Sequence, residues 1–75
     1  MEIKYVNYYV KYIGKSDSSI QNGETYECVA EWYKNGNLIS LAVIDDSEED
    51  YLYSPMAFER VFEVNEWWFM LVNIE

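Results

Sequence analysis

One feature most constrains how this chain folds: apolar and polar side chains alternate with a period of two, and an Asn-Gly turn follows. The run from Thr25 to Lys34 alternates, and its two carboxylates, Glu27 and Glu31, fall on one side. Asn35 and Gly36 follow directly, and this pair strongly indicates a two-residue β-hairpin turn. Because carboxylates avoid the interior, we predict that the opposite side of the strand faces the core. That side carries Tyr26, Cys28, Ala30 and Trp32.

Four other runs have the composition of strands. Ile3 to Ile13 is rich in β-branched and aromatic residues, which favours a strand over a helix. Leu38 to Ile44 is apolar enough to be partly buried on both faces. Tyr51 to Tyr53 and Val61 to Val64 are shorter runs of the same kind. The single Cys28 excludes an internal disulfide, and we interpret it as a small buried apolar residue.

A helical turn is predicted between the last two of these runs. Pro55 suits the first position of a helix, and Ser54 can cap it. We expect one helical or 3₁₀ turn over Met56 to Arg60, with Phe58 pointing inward. Five or six short strands with such a turn predict a single all-β domain, a small antiparallel SH3-like barrel spanning residues 1–75.

Charge limits the classes of partner that the chain can bind. It has 75 residues, five basic and fourteen acidic, for a net charge of −9. Phosphate binding needs clustered Lys and Arg, so we expect no direct binding of nucleic acid and no anionic membrane surface. One cysteine and no recognisable signal peptide make the cytoplasm the expected compartment.

The groups that enzymes use are scarce. The chain has no His and no Gly-rich phosphate loop, so we expect neither catalysis nor a cofactor. The acidic run from Asp45 to Asp50 could bind a hard cation, but it lacks the spacing of a calcium loop. We interpret it as a solvated turn and predict no metal site.

Aromatic residues are the strongest indication of a partner. Three Trp, eight Tyr and three Phe are more rings than the interior of so small a barrel can hold. Some of them should therefore form a partly exposed patch that binds a protein. The alternative is that Tyr is simply a good strand former on a sheet face that is partly exposed to solvent. The candidates are Tyr5, Tyr8, Tyr9, Tyr33, Tyr51 and Tyr53.

The apolar tail is a second candidate contact. As a strand, Trp67 to Val72 would be apolar on both faces, so both faces must pack against other parts of a protein to avoid aggregation. We predict an extra C-terminal strand over about residues 67–74, with Trp67 and Trp68 as candidate binding residues. It would pair with Ile3 to Tyr9 as an added sheet or form a homodimer interface. Intramolecular pairing alone is the open alternative.

Several short motifs occur in a characteristic order. They are Tyr12 to Asp17, Asn22 to Glu27, Val43 to Asp46, Glu49 to Pro55, and Phe58 with Glu59. In this order they resemble a family of very small proteins from Gram-positive bacteria and their phages, many of unknown function. The resemblance implies an SH3-like barrel over about residues 8–64 and supplies no catalytic residues. The family usually has a tighter acidic turn, with Gly before the Glu-Asp-Tyr motif, where this chain has Glu48. The long first strand and the apolar tail also depart from its pattern.

Two functions agree with these features, and a purely structural role is the open alternative to both. The first is a non-enzymatic protein-interaction module of phage or mobile-element origin, with an unknown protein partner. The second is an acidic inhibitor, a nucleic-acid mimic that presents carboxylates to a basic host protein.

Overall fold

The computed structural model describes residues 1–61, which form one antiparallel sheet and a single 3₁₀ turn. The sheet order is β4-β3-β2-β1-β5. This confirms the predicted all-β class, whereas closure into an SH3-like barrel stays a prediction. The predicted C-terminal strand at 67–74 lies outside the described residues. The elements are β1 (Glu2–Tyr12), β2 (Thr25–Lys34), β3 (Asn37–Ile44), β4 (Asp50–Tyr53), the 3₁₀ turn (Pro55–Ala57) and β5 (Phe58–Val61).

The predicted hairpin between β2 and β3 is confirmed. Asn35 and Gly36 have φ values of 53° and 80°, between the paired residues Lys34 and Asn37. Positive φ at both central positions is the geometry of a type I′ turn, whose twist matches that of the strands it joins.

The turn before β5 is shorter than predicted. The Ser54 hydroxyl accepts a hydrogen bond from the Met56 N–H, and Pro55 opens the 3₁₀ turn, as expected. At Phe58 the backbone is already extended, with φ −136° and ψ 153°. The last described strand therefore begins at Phe58 rather than Val61. Phe58 is buried, as predicted.

The core lies on one side of the sheet, where side chains of β1, β2 and β3 pack together with Phe58 of β5. Two ring pairs on Phe58 help to close it. The Tyr12 ring lies 5.4 Å from the Phe58 ring, and the Tyr53 ring meets Phe58 edge-on at 5.8 Å. Offset and edge-to-face pairs of this kind are the favoured aromatic geometries. The buried cluster comprises Val10, Tyr12, Ile20, Tyr26, Cys28, Leu41, Val43 and Phe58.

The long connection from β1 to β2 belongs to the core through Ile20, which is fully buried. Backbone hydrogen bonds hold this loop at its base and next to Ile20. The Gly23 N–H donates to the Tyr12 carbonyl at 2.8 Å, and the Asp46 N–H donates to the Ser19 carbonyl at 2.9 Å. The loop therefore contributes the buried Ile20 side chain to the core, and it is hydrogen-bonded to the acidic turn after β3.

The predicted alternation in β2 is wrong beyond Cys28. The ladder with β3 shifts register between Cys28 and Ala30, as it does at a β-bulge. Directly paired residues share a face of the sheet. Glu31 pairs with Leu41 and so lies on the core side, whereas Trp32 pairs with Ser40 on the opposite side.

Candidate interaction surface

The strand register builds an apolar patch on the side of the sheet away from the core. One row of paired residues runs from Tyr5 on β1 to Leu52 on β4. Between them lie Ala30 and Ala42, which are buried between larger neighbours. A second row pairs Ile3 with Trp32 and Trp32 with Ser40. We call this patch the outer face, and its members are Ile3, Tyr5, Ala30, Trp32, Ser40, Ala42 and Leu52.

The large side chains of the outer face are well exposed. Tyr5 is 84% exposed, Leu52 51% and Ile3 41%, and Trp32 is half-buried. No acidic or basic side chain belongs to either row. Scattered exposed apolar residues are ordinary, but a contiguous group is typical of protein contact sites.

On the core side, Glu31 is held by two tyrosines. The Tyr8 hydroxyl donates to Glu31 Oε2 at 2.7 Å, and the Tyr33 hydroxyl donates to Oε1 at 2.8 Å. The Tyr8 hydrogen bond is the main reason that the pKa of Glu31 lies below its usual range. Burial, followed by the bond to Glu31, raises the pKa of Tyr8 well above its usual value. The guanidinium of Arg60 also lies over the Tyr8 ring, 4.2 Å from its centre.

The acidic turn has a buried carboxylate at its base. Asp45 is 5% exposed, so the prediction of a fully solvated turn is wrong at this residue. Its Oδ1 accepts from the Ser47 N–H at 2.9 Å and from the Ser47 hydroxyl, and its Oδ2 accepts from the Tyr53 hydroxyl at 2.6 Å. The bond from the Ser47 hydroxyl, and next the bond from the Tyr53 hydroxyl, lower the pKa of Asp45. Donors satisfy this charge, so its burial is tolerated.

The rest of the acidic turn is exposed, in agreement with the prediction. Asp46, Glu48, Glu49 and Asp50 all face solvent. Glu48 has a φ of 67°, in the left-handed region that favours glycine.

The candidate tyrosines separate into two groups. The hydroxyls of Tyr8, Tyr33, Tyr51 and Tyr53 donate to carboxylates of this same chain. Tyr5 lies on the outer face, and Tyr9 is 41% exposed beside Glu27 on β2. The structure therefore brings Tyr5, but not the other five, into the apolar rows. Trp67 and Trp68 lie outside the described residues.

Three residues that are important in the structure were not singled out from the sequence. Trp32 was assigned to the core, because the bulge that turns it outward has no marker in β2. Ile20 is an isolated apolar residue within the polar run from Lys15 to Glu24, a signal that could have identified it as a buried side chain. Asp45 followed two residues later by Ser47 has the spacing of an Asx turn, which predicts a hydrogen-bonded aspartate.

Within residues 1–61, no group of three or more His, Cys, Asp or Glu side chains is placed to hold a metal ion. The same range contains no helix long and apolar enough to cross a membrane.

Comparisons with protein-family profiles, with curated proteins and with solved structures found no match to this chain.

Proposed function

We propose that this chain is a non-enzymatic protein-interaction module that binds a protein partner through its outer face. The observation that carries the proposal is the register of the sheet, which groups Ile3, Tyr5, Trp32 and Leu52 on one side. A phage or mobile-element origin and a cytoplasmic location belong to the same proposal, and the motif resemblance and the single cysteine support them.

The composition of the outer face agrees with this proposal. Aromatic residues are enriched, and charged residues depleted, at the centres of protein interfaces. A ring such as that of Tyr5 can bury about 150–250 Å² against a partner, with few side-chain torsions to immobilise. The four candidate tyrosines whose hydroxyls donate to carboxylates of this chain are already engaged, which favours the outer face as the contact surface.

Paired substitutions test the proposal. The tagged full chain captures a partner from lysate, and Tyr5→Ser and Leu52→Ser should each weaken capture, because both remove exposed apolar area. Met56→Ser is the matched control, since Met56 is 88% exposed but belongs to the 3₁₀ turn rather than the sheet. Unfolding curves verify that each variant is folded. Equal capture by all three variants would refute the outer face as the contact surface.

The second candidate is an acidic inhibitor that binds a basic protein. The specific observation in its favour is the run of exposed carboxylates at Asp46, Glu48, Glu49 and Asp50, with no Lys or Arg in the same turn. A variant with Asn or Gln at these four positions distinguishes the two functions. It should retain the partner if the outer face binds and release the partner if charge binds.

A further inference from the structure

Two Asn-Gly pairs occur in exposed turns of this chain, in different structural settings. Asn22 and Gly23 lie in the β1–β2 loop, and Asn35 and Gly36 form the β2–β3 hairpin turn. In such a pair the backbone nitrogen of Gly can attack the side-chain amide carbon of Asn, because glycine has no side chain to shield that nitrogen. The two pairs have the same residues in the same order, so their intrinsic reactivity is similar and a large difference in rate comes from the fold.

We propose that Asn35 is a site of spontaneous deamidation and that the fold protects Asn22 from the same reaction. The Gly36 backbone nitrogen attacks Cγ of Asn35, so that a new C–N bond forms and the bond from Cγ to Nδ2 breaks. Nδ2 leaves as ammonia with the proton from the Gly36 nitrogen, and a cyclic imide remains. Water then adds to one of the two imide carbonyls. The ring opens to an aspartate or an isoaspartate at position 35.

Hydrogen bonds hold both reacting groups of the first pair. The side-chain nitrogen of Asn22 donates to the Gly14 carbonyl at 2.9 Å, and the Asn22 N–H donates to the Ser16 hydroxyl at 2.8 Å. The Gly23 N–H, which is the nucleophile, donates to the Tyr12 carbonyl at 2.8 Å. Cyclisation requires the nitrogen and the amide carbon to approach to about 3–3.5 Å. These bonds must break before that approach can occur.

The second pair has no comparable restraint in the described part of the chain. Asn35 and Gly36 are both exposed, and within residues 1–61 neither the Asn35 side chain nor the Gly36 N–H has a hydrogen-bond partner. The turn lies at the tip of the hairpin, where strands open first. Water and base therefore reach Asn35 directly.

The product would alter the hairpin. Either product adds a negative charge to a chain whose net charge is already −9. The isoaspartate also lengthens the main chain by one carbon inside a two-residue turn. It therefore disturbs the pairing of Lys34 with Asn37, where the β2–β3 ladder begins. Since that ladder positions Trp32, the modification acts on the outer face.

Peptide mapping by mass spectrometry tests the proposal on the intact chain, incubated in a mildly alkaline buffer and sampled over time. In the folded protein Asn35 should convert at least about tenfold faster than Asn22, since each hydrogen bond that must open adds to the barrier at Asn22. The same chain in denaturant is the internal control, and there the two rates should become similar. Equal rates in the folded protein, faster conversion at Asn22, or no conversion at Asn35 would overturn the proposal.

Discussion

Tyr53 donates its hydroxyl to Oδ2 of Asp45, so Tyr53→Phe removes one hydrogen bond from a carboxylate that is 5% exposed. The ring and its edge-on contact with Phe58 remain, and Ser47 still donates twice to Oδ1. Hydrogen bonds to charged groups contribute about 1.5–3 kcal/mol, and we expect a loss in this range at neutral pH. The folding free energy of so small a domain is about 4–11 kcal/mol, so the loss is substantial.

Thermal and urea unfolding measure this loss. For a domain of this size, each kcal/mol lowers Tm by about 4–8 °C. The effect should also depend on pH. The folded state lowers the pKa of Asp45, so the stabilisation is present above the unfolded value of about 3.9 and is lost as pH falls through the folded pKa. The difference between wild type and Tyr53→Phe should therefore shrink in acid.

Tyr51→Phe is the matched control, because it removes the same group from the same strand. The Tyr51 hydroxyl also donates to a carboxylate, that of Glu49 at 2.9 Å, but both partners are exposed. Exposed interactions of this kind contribute little, and we expect a much smaller loss of stability than for Tyr53→Phe. If Tyr51→Phe and Tyr53→Phe destabilise the protein equally, burial of Asp45 does not strengthen its hydrogen bond, and the reasoning fails.

Two other substitutions test particular parts of the fold. Glu48→Gly should stabilise the protein by about 0.5–1 kcal/mol, because it removes a side chain from a residue with a φ of 67°. Glu49→Gly is the control and should not stabilise it. A lower Tm for Glu48→Gly would show that the backbone at this residue is not left-handed. Ile20→Ala should cost about 2–5 kcal/mol, because the side chain is fully buried, while Ile39→Ala, at a 39% exposed position, should cost much less. Equal urea midpoints for these two alanine variants would place Ile20 at the surface.

Local sequence signals predicted most of the described sheet. The Asn35-Gly36 turn and the flanking period-two runs fixed the β2–β3 hairpin, because turn type and alternation are local properties. Ser54 and Pro55 located the 3₁₀ turn for the same reason. Residues in Leu38 to Ile44 are buried on both faces, as the apolar composition predicted: Leu41 and Val43 belong to the core, and Ala42 is buried on the outer face.

The candidate site was harder to predict because it depends on register between strands. The shift beyond Cys28 turns Glu31 inward and Trp32 outward, and nothing in the sequence of β2 marks that position. The use of Tyr8 and Tyr33 as donors to Glu31 depends on the same shift. Sequence alternation alone therefore placed the aromatic residues on strands correctly but assigned Trp32 to the wrong face.

The dependence of partner affinity on salt tests the proposed function most directly. Between about 0.1 M and 1 M salt the Debye length falls from about 10 Å to about 3 Å, so contacts between exposed charges are screened. Burial of Tyr5, Trp32 and Leu52 is not screened in this way. The account predicts that the Kd of the captured partner stays constant or tightens across this range. A Kd that rises progressively with salt would contradict it and assign binding to the acidic turn.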